Sequence, residues 1–241
     1  MLLFPDIASI IITMTDLKLE AAKGALKFIK PGQTIGVGAG STIANLLGLI
    51  AEDKKLAASL SFATSSFKTA GLISKYNFKL LGSEHVKHID IYFDGCDQFD
   101  ARLNALKCGG GIHTSEKIMA SLADEFILIG DASKAVEKLD TTYPLVLEVL
   151  PTALQLVSQW LAKNILTAKT TMRMSSQKDG AVITENGNYL LDVYFAETLP
   201  LEELNAVKMV PGVVEHSLFV GLAKRAIIAG DDGVKILERA L

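Results

Sequence analysis

From Thr34 the chain reads Thr-Ile-Gly-Val, then Gly38-Ala39-Gly40-Ser41-Thr42, then a helix-period run from Ile43 to Ala51. A short apolar strand opening through glycines into a helix is a βα unit, whose natural continuation is a parallel strand. Ala58–Ala63, Phe78–Leu81, Ile89–Phe93 and Glu125–Ile129 supply such strands, with helical stretches between them. Leu17–Phe28, closed by Pro31-Gly32, is the helix that precedes them, with Thr15 or Asp16 as its cap. The hydroxyls of Thr64–Thr69 are placed to cap the helix after the second strand. Arg225–Ala229 returns a strand to the sheet, and Val234–Ala240 reads as a closing helix. The expected class is α/β: a mainly parallel Rossmann-like sheet with helices on both faces.

The alternation breaks down after the middle of the chain. Tyr143–Leu150 is a strand ended by Pro151, and Ala153–Lys163 is an amphipathic helix whose Trp160, the chain's one tryptophan, packs a core. Ala168–Met174, Ala181–Thr184 and Tyr189–Phe195 read as strands, the last two joined through Asn186-Gly187. Pro200 opens a helix through Lys208, and Pro211-Gly212 precedes a strand from Val213 to Phe219. The expected division is a catalytic α/β domain over 15–141 and 218–241 with a smaller α+β sandwich inserted over 142–217. Residues 1–14 read as an N-terminal extension, because Met14-Thr-Asp-Leu-Lys18 looks like a natural beginning. Pro5 and Asp6 interrupt the apolar start and no basic residue precedes it, which fits neither a signal peptide nor a span of about 20 apolar residues.

Composition narrows the function. With 49% hydrophobic and 21% charged residues the chain is built to bury a core. A net charge of −3 without any basic block gives a nucleic-acid partner no electrostatic support, and no membrane partner is expected. The two cysteines, Cys96 and Cys108, with no secretory signature, suit a reduced, cytoplasmic setting and leave a disulfide between them open.

Chemistry concentrates between Asp94 and Lys117. The strand Ile89–Phe93 ends at Asp94, and Asp97 follows at once. Lys107 leads into the triple glycine Gly109–Gly111, and Thr114 offers a helix N-cap that puts Glu116 in the first turn. There the helix dipole favours a carboxylate, the form a base needs. Paired acids, a cation and pliable backbone suit acid–base work on a small polar substrate. The same residues would also serve a plain Asp-Gly turn and an ordinary helix terminus.

The free N–H groups at Gly38–Thr42 suit phosphate or another anion, although an unliganded βα turn needs the same glycines. A dinucleotide is the weaker guess, since Ser41 stands where a third glycine belongs. Lys134, just beyond a strand end, would alone be a surface lysine. His113 and His216 lack zinc-type spacing and read as structural or surface residues, so no metal is expected.

Taken together and in order, these motifs resemble ribose-5-phosphate isomerase, type A, from Leu17 onward. Gly36-Val-Gly-Ala-Gly-Ser-Thr42 is similar to that family's substrate loop, and Asp94-Gly-Cys-Asp97 to its Asp-Gly-Ala-Asp motif. Leu106-Lys-Cys-Gly-Gly110 is similar to its Lys-Gly-Gly-Gly segment, and Thr114-Ser-Glu-Lys117 to its Thr-Arg-Glu-Lys motif. Ser133-Lys134, Asn186-Gly-Asn188 and Gly212–His216 recur in the same order. The chain departs at Ala39, where the family has threonine, at Gln98 for glutamate, and at Cys108 for glycine. Ser115 stands for arginine, and Ser217 interrupts the usual ending.

The resemblance implies interconversion of ribose 5-phosphate and ribulose 5-phosphate, a step of the pentose phosphate pathway, without metal or organic cofactor. It makes Glu116 the base that moves a proton between C2 and C1, and gives the enediolate to Lys107 and the N–H groups of Cys108–Gly110. Asp94 and Asp97 take substrate hydroxyls and ring opening. Gly38, Ala39, Gly40, Ser41 and Thr42 hold the phosphate with Lys134 and Lys18, while Gly95, Cys96, Cys108, Gly109 and Gly110 complete the substrate contacts. The apolar strands of the smaller domain suit a homodimer or homotetramer. The alternative is a non-catalytic sugar-phosphate sensor on the same fold. An acyl-CoA-handling enzyme with a related core is opposed by the Asp94–Asp97 motif and Lys107.

Overall fold

The computed structural model describes residues 7–165, 168–198 and 200–239, and side chains from Leu17 onward. The first half of the chain runs α1 (Ile7–Leu26), β1 (Thr34–Val37), α2 (Ser41–Glu52), α3 (Lys54–Ser59), β2 (Ser61–Thr64), α4 (Phe67–Lys75), β3 (Lys79–Leu80) and β4 (Ile89–Asp94). Next come β5 (Gln98–Phe99), β6 (Ala105–Leu106), α5 (His113–Leu122), β7 (Ala123–Asp131), β8 (Leu145–Val149), α6 (Leu154–Asn164) and β9 (Ala168–Met172). The rest is β10 (Tyr189–Phe195), α7 (Leu201–Ala206), β11 (Val213–His216), β12 (Leu218–Phe219), β13 (Ala223–Gly230) and β14 (Gly233–Glu238). These fall into two compact units, the first from Met1–Gly95, Met119–Lys134 and Ala223–Leu241, the second from Cys96–Ile118 and Ala135–Leu222.

The first unit is the α/β part. Its seven-stranded sheet has the order β14-β13-β7-β4-β1-β2-β3, parallel except for the β13–β14 hairpin. Central strands buried on both faces should be continuously apolar. Ile35, Val37, Phe62, Ile91, Phe93, Ile127 and Ile129 are, and all enter one core. Helix α2 adds Ile43, Leu46, Leu47 and Ile50, spaced i, i+3, i+4, i+7 along one stripe. Each such side chain contributes about 1.5–3 kcal/mol on burial. After β1 the chain builds outward through β2 and β3, then returns to place β4 on the other side of β1. Such a switch of direction opens a crevice at the carboxyl ends of the two strands.

Three expectations need correction here. Helix α1 runs through Thr15 and Asp16 rather than starting at them; Met1–Asp6 lie outside the described residues. The second strand begins at Ser61, because Asp53 caps a short helix over Lys54–Ser59 by accepting from Lys55 and Leu56 N–H. The helix expected from Val234 is replaced over Val234–Glu238 by a strand, Ala240 lying outside the described residues: Gly230 pairs with Gly233, and Gly233 at φ 93° closes a tight hairpin that lays β14 along β13.

In the second unit an antiparallel sheet, β11-β8-β10-β9, is backed by Val157 and Leu161 of α6. A small sheet, β12-β6-β5, accompanies it. Trp160 packs partly buried against this unit's core, as expected. The turn at Asn186-Gly187 forms, with Gly187 at φ 81°, but Ala181–Thr184 makes isolated bridges instead of a full strand. The strand expected over Val213–Phe219 is cut in two at Ser217, whose hydroxyl accepts from Val146 N–H at 2.9 Å and takes a ladder position for itself. Among the described residues no helix is long and apolar enough to cross a membrane.

Candidate active site

In the first unit the glycine turn and Asp94 are built as one piece. Asp94 ends β4, beside the end of β1, and is 1% exposed. Its carboxylate accepts from Tyr92 Oη at 2.6 Å, Gly95 N–H at 2.8 Å and Ala39 N–H at 3.2 Å. Gly38 is required for this: a Cβ there would stand 1.9 Å from Asp94 Cγ. Gly38 N–H donates to Phe93 O at 2.9 Å, and Thr69 Oγ1 donates to Gly38 O at 2.7 Å, so the turn is pinned from both sides. Thr69 belongs to the expected hydroxyl-rich stretch, in which Ser66 caps α4.

Gly40 follows at φ 101° as the N-cap of α2, with no side chain supplying a cap bond. Exposed Ser41 and buried Thr42 begin the helix, and its first turn holds no acidic side chain. A helix start with N–H groups left to an outside acceptor is an anion cradle in both charge and geometry. Lys134, half-buried, follows the end of β7, whose neighbour in the sheet is β4. Lys18 is carried by α1 and is also half-buried.

The second unit holds the other candidates. Lys107 Nζ stands 3.4 Å from Glu116 Oε2, with side-chain exposures of 6% and 8%. Lys107 is fixed through its backbone, N–H to Ser217 O at 3.0 Å, and its ammonium lies 5.7 Å from the Phe219 ring centroid. Asp97 accepts from Cys108 N–H at 2.5 Å, which locks the start of the glycine run. Beyond it Gly109 and Gly110 are exposed. Cys96 and Cys108 are free thiols, and burial, then the charge of Asp97, pushes the Cys108 thiol far up, so it stays protonated.

Glu116 sits in the first turn of α5 as expected, but Thr114 is not the cap. The helix starts at His113, and Thr114 Oγ1 instead donates to the Glu148 carboxylate. Gln98 hydrogen-bonds Asp140 in both directions, at 2.8 and 3.0 Å. Ser115 donates to Glu185 at 2.6 Å. His113 and His216 are buried, and their pKa values are pulled down to about 4 by burial, with Lys117 reinforcing the effect.

Sequence reasoning missed two groups. Arg173, paired with Asp192 at 2.5 Å, donates to Cys108 O at 2.9 Å and Gly109 O at 3.3 Å, so it fixes the glycine run from β9's far end. No local pattern signals such a contact. Glu148 was visible as a lone acid inside the apolar run Leu145–Val149, which is the mark of a buried group with partners.

The chain was compared with known proteins. The family model for ribose 5-phosphate isomerase A (phosphoriboisomerase A) matches residues 61–233. A ribose-5-phosphate isomerase A from Synechococcus sp. is 36% identical over 229 residues, covering 94% of this chain and 98% of the relative. One from Pyrococcus horikoshii is 36% identical over 230 residues, covering 93% and 98%. The solved Methanocaldococcus jannaschii ribose 5-phosphate isomerase A superposes with a TM-score of 0.84 at 35% identity, covering 92% of this chain and 98% of that one. A D-ribose-5-phosphate isomerase in complex with phospho-erythronic acid gives 0.86 at 34%, covering 94% and 99%.

Proposed function

The chain belongs to the ribose 5-phosphate isomerase A family, aldose–ketose isomerases, and from that premise we propose how its residues interconvert ribose 5-phosphate and ribulose 5-phosphate. The observation that carries the reading is the nearly dry Lys107–Glu116 pair at 3.4 Å. Glu116 takes the proton from C2 as the electron pair left behind moves onto the carbonyl oxygen O1; the O2 proton passes to O1, and Glu116 returns its proton to C1 as the carbonyl re-forms at C2. Lys107 and the N–H groups of Gly109 and Gly110 meet that developing oxyanion, whereas the Cys108 N–H is held by Asp97. A carboxylate and an ammonium held at one place supply both halves of the transfer, and low solvent access keeps their charges effective.

The other roles follow from the anchors described. Asp94 and Asp97 take sugar hydroxyls and assist ring opening, with Gly95 and Cys96 alongside. Gly40, Ser41 and Thr42 take the phosphate through N–H groups and hydroxyls, on a turn that Gly38 and Ala39 tie down through their own N–H bonds to Phe93 and Asp94, and Lys134 and Lys18 neutralise the charge. Ala39 has lost the family's hydroxyl but keeps the backbone bond to Asp94, so the departure leaves the turn intact. A pentose 5-phosphate is the small-molecule partner, and no cofactor is assigned. The same reading makes the enzyme cytoplasmic and a homodimer or homotetramer, which exposed Met174, Ile183 and Tyr194 on the second unit support.

The test is ribulose 5-phosphate formation in metal-free buffer by wild type and Glu116→Gln. Loss of about 10²–10⁴ in kcat is expected from removing a general base. Unchanged turnover would remove Glu116 from the role. Binding of ribose 5-phosphate by wild type without any turnover would instead describe a sensor.

A further inference from the structure

The residues on either side of Glu116 are held by a set of carboxylates that the chemistry itself does not use. Glu148 on β8 is 1% exposed and accepts four side-chain donors. Thr184 Oγ1 and Asn188 Nδ2 reach Oε1 at 2.8 Å each, Asn186 Nδ2 at 3.0 Å, and Thr114 Oγ1 takes the other oxygen. Burial alone would push this acid up; the donors from Thr114, Asn188, Asn186 and Thr184 outweigh it and hold the carboxyl below its usual value. Glu148 therefore stays an acceptor and keeps all four.

Directly across the ladder, on β11, stands a second glutamate, Glu215. It takes Lys117 Nζ at 2.8 Å, and Lys117 also donates to His216 O and Leu218 O at 2.8 and 2.9 Å. Two acids opposite each other in a sheet cost stability unless each is separately satisfied. Here each has its own donors, Lys208 and the His216 N–H adding to Lys117 at Glu215, and each takes one of them from the same helical turn, position 114 for Glu148 and position 117 for Glu215. Glu116 lies between those two grips, facing Lys107.

We propose that Glu148 is a positioning residue for the isomerisation, setting the Glu116 carboxylate by holding Thr114. Thr184, Asn186 and Asn188 all meet Oε1, so the hydrogen bond at Oε2 is the one that ties Glu148 to α5. The reach to the turn that carries Glu116 is what couples the sheet to the reacting carboxylate. This rests on Glu116 being the base, and the experiment keeps the two ideas apart.

Thr114→Val removes the tie while leaving Glu148 its three other donors, so the fold should persist; Glu148→Gln removes the charge that gathers them. Both should lower kcat for ribose 5-phosphate about 10- to 100-fold, the scale of a misplacement near 1 Å, with KM within about twofold. The double variant should be no slower than the worse single, because both changes break one tie. In a Glu116→Gln background, Glu148→Gln should cost nothing further. Well-folded Thr114→Val with wild-type kcat would overturn the proposal. So would a KM rise that accounts for the whole loss, or a Glu148→Gln effect that multiplies undiminished onto Glu116→Gln. Full turnover by Glu116→Gln alone would sink the base assignment, and the proposal with it.

Discussion

Asp94 and Glu116 are both nearly buried acids, yet the two units hold theirs by opposite means. Asp94 is fixed by backbone N–H groups of its own turn and of the adjacent glycine turn, plus one tyrosine two residues away. Glu116 faces an ammonium, and its neighbours in the helix are tied by side chains to Glu148, Glu185 and Glu215, all far along the chain. The backbone donors on Asp94 hold it in one place whatever the side chains around it do. A side-chain ion pair suits a group whose charge must change during the reaction. Binding on the first pattern and proton transfer on the second is what the contrast suggests.

The contrast can be broken most severely at Lys107. Lys107→Met should cost about 10²–10³ in kcat, the range for losing one donor to a developing oxyanion, with KM little changed. A loss confined to KM, read from steady-state kinetics, would place Lys107 with the binding groups instead. Gly38→Ala should be felt on both axes, because its Cβ would overlap Asp94 at 1.9 Å. Overpacking of this kind costs about 1–3 kcal/mol, so urea unfolding should show the loss, together with a tenfold or larger fall in kcat/KM. Wild-type stability would mean that the turn relaxes away from Asp94.

Lys134→Ala sharpens the same division from the other side. Charge-assisted hydrogen bonds contribute about 1.5–3 kcal/mol, so KM should rise roughly tenfold or more while kcat holds. A pure turnover defect would contradict a phosphate role. The mildest effect should come from acid. His113 and His216 in the second unit are held neutral to about pH 4, against 6.5 ordinarily. The unfolded chain therefore binds more protons between those values, and stability falls as pH drops through that window. Glu215, drawn down to about 2 by Lys117 and Lys208 despite its burial, extends the loss below 4.5. The first unit's His85 and His88 are exposed. Trp160 fluorescence should thus change at higher pH than amide-exchange protection of β1 and β4 is lost; the reverse order would contradict the assignment.

How much was legible follows the same line. The parallel strands, the glycine turn and Asp94 could be read because each depends on neighbours within a few residues or on a buried apolar period. The register of Ser217, the Arg173 clamp and the Glu148 hub could not, since their bonds to Val146, Cys108 and Thr114 join groups 34 to 71 residues apart. Thr114 misled for the same reason: alone it is a good N-cap, and only a distant carboxylate redirects its hydroxyl. The closing hairpin failed differently. Val234–Glu238 is too short to fix a period, and Gly233 decided it.

The most direct trial of the account is loss of the C2 label from [2-²H]ribose 5-phosphate, followed by NMR for wild type and Glu116→Gln, with substrate binding checked by calorimetry. The account predicts that wild type moves deuterium off C2 during turnover, onto C1 or into solvent, whereas the variant binds the sugar phosphate normally and moves it at least about 10²-fold more slowly. Departure of deuterium from C2 at the wild-type rate in the variant would mean that another group takes the proton.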